Sequence, residues 1–167
     1  AYAVKFPSAV KSLILINSSG ITMEGNYAYS GYGAPVKSID ELRVAMSYGY
    51  NRVPEINILE ALFMIRKHNN SCGFITEKVI PSIRNGRYFD LEDHLREISM
   101  PVLIIWGVND RVISVKTGER FSREIKNSRL VLIDNASHTP QAEFPEKISE
   151  EIEYFLLSKT KILDHKI

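Results

Sequence analysis

The stretch PVLIIWGVND, residues 101–110, decides the fold class. It begins with six apolar residues, breaks at Gly107 and ends on Asp110. Two further runs, SLILINS at 12–18 and RLVLID at 129–134, are also short, rich in branched side chains and nearly continuous in apolar character. Because such runs are typical of parallel strands that are covered on both faces, we predict three central strands of one parallel sheet.

Helical patterns alternate with these strands. Between the second and third runs, the segment 114–127 places Val115, Phe121 and Ile125 on one helical stripe. Strand, helix, strand, helix is the order of right-handed crossover units, which predicts an α/β sheet. After the third run, the segment 145–157 starts on a proline suited to a first helical turn and carries a second stripe, formed by Ile148, Ile152, Phe155 and Leu156.

Residues 20–98 differ from this pattern, and we name them the insert. GITMEGNYAYSGYGAP at 20–35 is rich in glycine and tyrosine, which is typical of a loop. Ser38 with Glu41 three positions later is a capping-box pair that predicts a helix start. We therefore expect a mostly helical cap at 20–98 on a core formed by 1–19 and 99–167. The further predicted helices of the insert are NILEALFMIRKH (57–68), TEKVIPSIR (76–84) and DLEDHLREI (90–98).

Composition argues against several classes of function. The 167 residues, 44% hydrophobic and 25% charged, match one ordinary soluble domain. The 21 Lys and Arg against 20 Asp and Glu give a net charge of +1, which predicts no nucleic-acid partner. Cys72 is the only cysteine, so an internal disulfide is excluded and a reducing, cytoplasmic location is expected. No apolar run reaches the roughly 20 residues that a membrane span requires.

Two polar residues stand just beyond the carboxyl ends of neighbouring strands. Asp110 follows the second strand, and His138 follows the third within DNASHTPQAEFPE at 134–146. In open parallel sheets ligands lie at this rim, so we expect the two side chains to meet there. A carboxylate that accepts the Nδ1 proton of histidine fixes its tautomer, and Nε2 can then take a proton from a nucleophile. We predict this acid and this base as two members of a catalytic triad.

The segments MPVLIIWGVNDRVIS (100–114) and NSRLVLIDNASHTPQAEFPEKISEEIEYFL (127–156) resemble the carboxyl-terminal half of the α/β-hydrolase fold. In that family an acid follows one late strand and a histidine follows the last. The resemblance implies Asp110 as the acid, His138 as the histidine, and a lipase-like or esterase-like activity on a small ester-like substrate, without a cofactor. It also implies an α/β fold class, with a partial parallel sheet and a mostly helical cap insert.

The nucleophile of such a triad is missing from the sequence. No G-x-S-x-G motif occurs, and neither NSSGI at 17–21 nor SYGYN at 47–51 supplies the strained turn that exposes a serine oxygen. AYAVKFP at 1–7 resembles the end of the helix that follows the nucleophile. We therefore predict that an amino-terminal half outside this chain supplies the nucleophile and pairs with the open edge of the first strand, and that this chain alone is inactive.

Other interpretations stay open at this point. Asp134 competes as the acid, although its place four residues before His138 suits a role in shaping the loop. An aspartate nucleophile would give epoxide or halide hydrolysis, a related triad hydrolyses carbon–carbon bonds, and a member without a nucleophile would only bind a ligand. The histidines and carboxylates lack metal-ligand spacing, so we expect no metal. The predicted substrate contacts are Ser19, Val112 and Thr139.

Overall fold

A parallel sheet of three strands forms the centre of the molecule. The computed structural model describes residues 1–21, 34–74, 77 and 91–163. Strands β1 (Leu13–Ile16), β2 (Val102–Gly107) and β3 (Ser128–Ile133) lie side by side in that order, all parallel. All three strands therefore end at the same rim of the sheet, and the predicted α/β class with a partial parallel sheet is confirmed.

Helices connect and cover the strands. The described part of the insert contains two long helices, and the two helical stripes predicted after the second and third strands are both helical. The helices are α1 (Tyr2–Lys5), α2 (Ile39–Gly49), α3 (Ile58–Phe74), α4 (Val115–Glu124), α5 (Pro140–Glu143) and α6 (Pro145–Leu163), with 3-10 turns at Pro7–Ala9 and Glu92–Glu97.

The start of α2 has the predicted capping interaction. The hydroxyl of Ser38 accepts the backbone N–H of Glu41 at 3.1 Å. The Glu41 carboxylate in turn accepts the N–H of Lys37 at 2.7 Å, one residue before the position that a standard capping box uses. The side chains of residues 38 and 41 therefore fix where the helix begins, and Tyr50 ends it by donating its N–H to Met46 O at 3.0 Å.

Two other helix predictions have different outcomes. The segment predicted as helical from Asp90 is a 3-10 helix of Glu92–Glu97, and Asp90 itself lies outside the described residues. The sequence pattern predicts that Leu91, Leu95 and Ile98 face inward; Leu95 and Ile98 are buried, and Leu91 is half-buried. The helix predicted at 76–84 also lies outside the described residues, apart from Glu77.

Burial differs among the strands. All six residues of β2 are buried, whereas β1 and β3 are mostly half-buried. The prediction of three central strands is therefore wrong for β1 and β3 within the described part of the chain, because each has a neighbour on one side only. For β1 this is the open edge that the sequence also predicts.

The sheet is covered by a different helix on each face. Phe121 and Ile125 pack with Trp106 of β2 on one face, and Ile148 and Phe155 of α6 pack with the other. Leu156, the fourth residue of the predicted apolar stripe, is 46% exposed, so the prediction that it packs against the sheet is wrong. Helix α4 approaches closely because Gly118 has no side chain: an added Cβ would lie 2.6 Å from the Trp106 ring. The indole Nε1 donates to the carbonyl of Ile113 at 3.2 Å.

None of the described helices is long and apolar enough to cross a membrane.

Candidate active site

The loop after β3 closes directly onto the end of β2. Val108 N–H donates to Ile133 O at 3.0 Å and Asn109 N–H to Ala136 O at 2.9 Å, which extends the strand pairing beyond β2. A Cβ added at Gly107 would lie 2.2 Å from the carbonyl oxygen of Ser137. Because a real side chain cannot approach a backbone atom so closely, this position needs glycine. Gly107, which interrupts the apolar run of PVLIIWGVND, thus allows the loops after β2 and β3 to meet.

Asp110 and His138 form a hydrogen-bonded pair at this rim. The Nδ1 atom of His138 lies 3.0 Å from Oδ2 of Asp110, although the residues are 28 positions apart. The Asp110 side chain is fully buried, and that of His138 is 23% exposed. When Nδ1 carries the proton and donates it to the carboxylate, Nε2 is the free acceptor. The predicted contact between the two side chains is therefore present, and their roles as acid and base stay a prediction.

Both oxygens of the Asp110 carboxylate have donors. Oδ1 accepts the backbone N–H groups of Val112 at 2.7 Å and Ile113 at 2.9 Å. Oδ2 accepts the side-chain amide of Asn17 in addition to the His138 ring. A buried carboxylate is unfavourable unless it is hydrogen-bonded, and four donors meet that requirement here. They also fix the plane of the carboxylate, and hence the direction in which it presents Oδ2 to the imidazole.

Asn17 is a site residue that sequence reasoning missed. It follows β1, is 5% exposed and has a φ of 42°, a left-handed conformation that asparagine tolerates better than most residues. Its Oδ1 accepts the N–H of Gly107 at 3.1 Å, and its Nδ2 donates to Ser137 O at 3.1 Å as well as to Asp110. Its place just after a strand is the signal that identified Asp110, and it could have identified Asn17 too.

The three predicted substrate contacts lie in different surroundings. Ser19 is exposed just beyond β1. Val112 is 2% exposed and its side chain packs in the core beside Trp106. Thr139 uses its hydroxyl to donate to Gly49 O at 2.7 Å. Substrate contact by these residues stays a prediction.

Asp134, the competing acid, is exposed at the end of β3. The Nδ1 atom of His138 is bonded to Asp110 instead. The geometry therefore favours Asp110 as the partner of the imidazole.

Comparisons with known proteins agree with this architecture. No family model matches the chain. Human monoacylglycerol lipase ABHD6 is 27% identical over 174 residues, which cover 94% of this chain and 50% of that protein. The crystal structure of a membrane phospholipase A, a bacterial virulence factor, matches with a TM-score of 0.82 and 23% identity over 94% of this chain and 52% of its own. A meta-cleavage product hydrolase from Pseudomonas fluorescens matches with a TM-score of 0.78, at 15% identity, over 94% and 59%.

The sheet, its flanking helices and these similarities define an α/β-hydrolase fold, of which the chain contains a partial sheet. Its relatives within that fold family are hydrolases of lipase and esterase type. The chain spans about half the length of two curated relatives that it matches, human monoacylglycerol lipase ABHD6 and its mouse counterpart.

Proposed function

We propose that this chain supplies the acid and the base of a Ser-His-Asp triad that hydrolyses a carboxylic ester or a related acyl bond. The bond between His138 Nδ1 and the buried Asp110 carboxylate, 3.0 Å long, carries this proposal. The names of a monoacylglycerol lipase and a phospholipase A among the similar proteins support an ester as the substrate class.

In this mechanism His138 moves one proton in each half-reaction. Nε2 takes the proton of the serine hydroxyl as the serine oxygen attacks the carbonyl carbon, and the resulting imidazolium is stabilised by Asp110. The same proton is then given to the departing alcohol, which leaves an acyl-enzyme. A water molecule next gives a proton to Nε2 and attacks the acyl carbon, and the serine recovers its proton as the acid is released. Neither half-reaction needs a cofactor.

The serine and the amides that stabilise the oxyanion belong, in this proposal, to residues outside the chain. Among the described strands β1 pairs with β2 alone, so its other edge offers backbone groups to a further strand. The chain matches about half of each relative's length, which supports the proposal that further residues complete the fold. We expect this chain alone to be inactive.

The insert, residues 20–98, is proposed to act as a helical cap on a core formed by 1–19 and 99–167. Support comes from α2, whose last residue accepts hydrogen bonds from Thr139 beside the candidate base. A cap in that place would bound the space in which the ester lies. The single cysteine supports the further proposal of a cytoplasmic location.

The test compares this chain with the extended protein, by which we mean the chain together with the amino-terminal half that we propose. The extended protein should hydrolyse a short p-nitrophenyl ester, and the chain alone should not. His138→Ala in the extended protein should lower kcat by about 10⁴-fold or more, with thermal unfolding nearly unchanged. His94→Ala, which removes an exposed histidine paired with Glu97, is the matched control.

Two outcomes would contradict the proposal. Full esterase activity of the His138→Ala variant would remove this histidine from the mechanism. An upstream elbow that carries aspartate, or no nucleophile, would point instead to displacement chemistry or to ligand binding.

A further inference from the structure

The carboxylate of Glu143 accepts hydrogen bonds from two separate segments of the chain. Oε2 accepts the N–H of Ser137, the residue directly before His138, at 2.6 Å. Oε1 accepts the N–H groups of Asn51 at 2.7 Å and Arg52 at 3.3 Å, just after α2 of the insert. We infer that Glu143 is a positioning residue that joins the insert to the loop of the candidate base, so that α2 and the imidazole move as one unit.

The end of α2 is fixed to the same rim through its carbonyl groups. A helix leaves the carbonyls of its last turn without helical partners, and these must be satisfied elsewhere. Here the donors come from the residue after Asp110 and from the residues on either side of His138. The bonds run from Arg111 Nη1 to Ser47 O at 3.2 Å, from Ser137 Oγ to Tyr48 O at 3.0 Å, and from Thr139 N and Oγ1 to Gly49 O at 2.9 and 2.7 Å.

Ser137 is the point where these two sets of bonds meet. It is fully buried: its N–H donates to Glu143, its hydroxyl to Tyr48, and its carbonyl accepts from Asn17. All three of its polar groups therefore have hydrogen-bond partners, which fix the backbone directly before His138. A shift of α2 would pull on this residue through both its hydroxyl and the Glu143 carboxylate.

The carboxylate of Glu143 is suited to linking the insert to the loop of His138, because both of its oxygens accept hydrogen bonds and neither donates one. Helix α5 is a single turn that ends at Glu143, whose N–H donates to Thr139 O at 3.2 Å, and this turns the side chain back towards Ser137. Glutamine has the same shape but one acceptor oxygen, so its amide group would face a backbone N–H in one of the two segments. Glu143→Gln should therefore release either the loop or the insert while it preserves the volume of the side chain.

This inference rests on the proposed role of His138, and it predicts a particular kinetic effect. If α2 contributes to substrate binding while the loop carries the base, uncoupling them should lower kcat more than it raises KM. Misplacement of a catalytic group by about 1 Å costs on the order of 100-fold in rate. We expect kcat of the extended protein to fall roughly 10- to 100-fold in Glu143→Gln, and KM to change by less than about threefold.

A measurement that does not depend on activity tests the link itself. In the ¹⁵N-labelled 167-residue chain, Glu143→Gln should speed amide hydrogen exchange at Ser137, or at Asn51 and Arg52, by about tenfold or more, as expected for loss of a charge-assisted hydrogen bond. Glu146→Gln is the matched control, because Glu146 is an exposed carboxylate three residues later. Glu143→Asp, one methylene shorter, is a second variant that retains the charge but cannot span both segments.

The outcomes separate the inference from the proposed function. Unchanged exchange at all three amides in both variants of Glu143 would overturn the link. Faster exchange with kcat unchanged would overturn the positioning role. An extended protein without esterase activity would overturn the proposed function, while the exchange data would still decide whether Glu143 joins the two segments.

Discussion

The side-chain amide of Asn17 donates a hydrogen bond to the carboxylate of Asp110, 93 positions further along the chain. The same side chain also binds the backbone of Gly107 and Ser137. One residue beyond β1 thus contacts the end of β2, the loop of Asp110 and the loop of His138. The geometry of the acid–histidine pair depends on this third group as well as on the strands that carry the pair.

Replacing Asn17 with alanine should destabilise the protein strongly. The change removes three hydrogen bonds and leaves the Gly107 N–H and the Ser137 carbonyl without this partner in a buried place, at about 1–3 kcal/mol for each group. We expect the free energy of unfolding to fall by roughly 2–4 kcal/mol, measured by urea denaturation. Asn135→Ala is the matched control, since Asn135 also has a positive φ, of 60°, but is exposed. Equal losses in the two variants would show that backbone strain, and not the hydrogen bonds, explains the effect.

Gly107→Ala should displace the loop of His138. The new Cβ would lie 2.2 Å from Ser137 O and 2.6 Å from Ala136 O, and backbone atoms cannot give way without moving the loop. We expect a loss of several kcal/mol in the free energy of unfolding, on the order of the largest single-residue effects. Gly73→Ala on α3 is the control: nothing lies within 4 Å of its added Cβ, so it should be neutral or stabilising by up to about 1 kcal/mol. A Gly107→Ala variant as stable as Gly73→Ala would contradict the close approach.

Asp110→Asn should remove activity while it keeps the size and shape of the side chain. The amide oxygen can still accept the N–H groups of Val112 and Ile113, but the amide nitrogen would then face the imidazole and favour the wrong tautomer. In the extended protein we expect kcat for a p-nitrophenyl ester to fall on the order of 10⁴-fold, and the thermal midpoint to fall as well, because the new amide nitrogen also faces the donating amide of Asn17. Asp134→Asn changes the competing acid and should leave kcat unaffected. The reverse pattern would assign the role of the acid to Asp134.

Acid should weaken one ion-pair network that holds α4 to the insert. Arg120 bonds Glu124 at 2.7 Å and Glu92 of the 3-10 helix at 2.7 Å, and its hydrogen bond lowers the pKa of Glu124 below the ordinary 4.5. A carboxyl whose pKa is lowered in the folded state adds stability above its unfolded pKa, and that stability is lost as the pH falls through the folded value. Arg120→Met should therefore reduce the fall in stability below about pH 4.5, by roughly 1 kcal/mol or less. Arg43→Met, which breaks an exposed pair with Asp40, is the control for the loss of an arginine side chain.

The elements that were predictable from sequence have strong local patterns. Strand β2 is a continuous apolar run, and Phe121 and Ile148 lie on stripes with a helical period. Asp110 and His138 were also predictable, because carboxyl ends of parallel strands share a rim and the chemistry of the pair is specific.

Other features depend on contacts between distant segments. Asn17 and Glu143 have local roles that look ordinary, one as the residue after a strand and the other in the turn before α6. Asn17 contacts Asp110, and Glu143 contacts Asn51, each across about 90 positions of sequence, so only the folded chain shows these partners. Similarly, the pattern of β1 and β3 indicates burial, but it does not say how many neighbours each strand has.

Trp106 is an intrinsic fluorescence probe of the candidate site. It is the only tryptophan of the chain, is fully buried on the strand that leads to Asp110, and is tethered through Nε1 to the loop that follows the acid. Its fluorescence emission should therefore shift to longer wavelength as soon as that loop opens to water. Steady-state fluorescence of the unlabelled protein can then follow the integrity of the acid loop during denaturation or ligand addition.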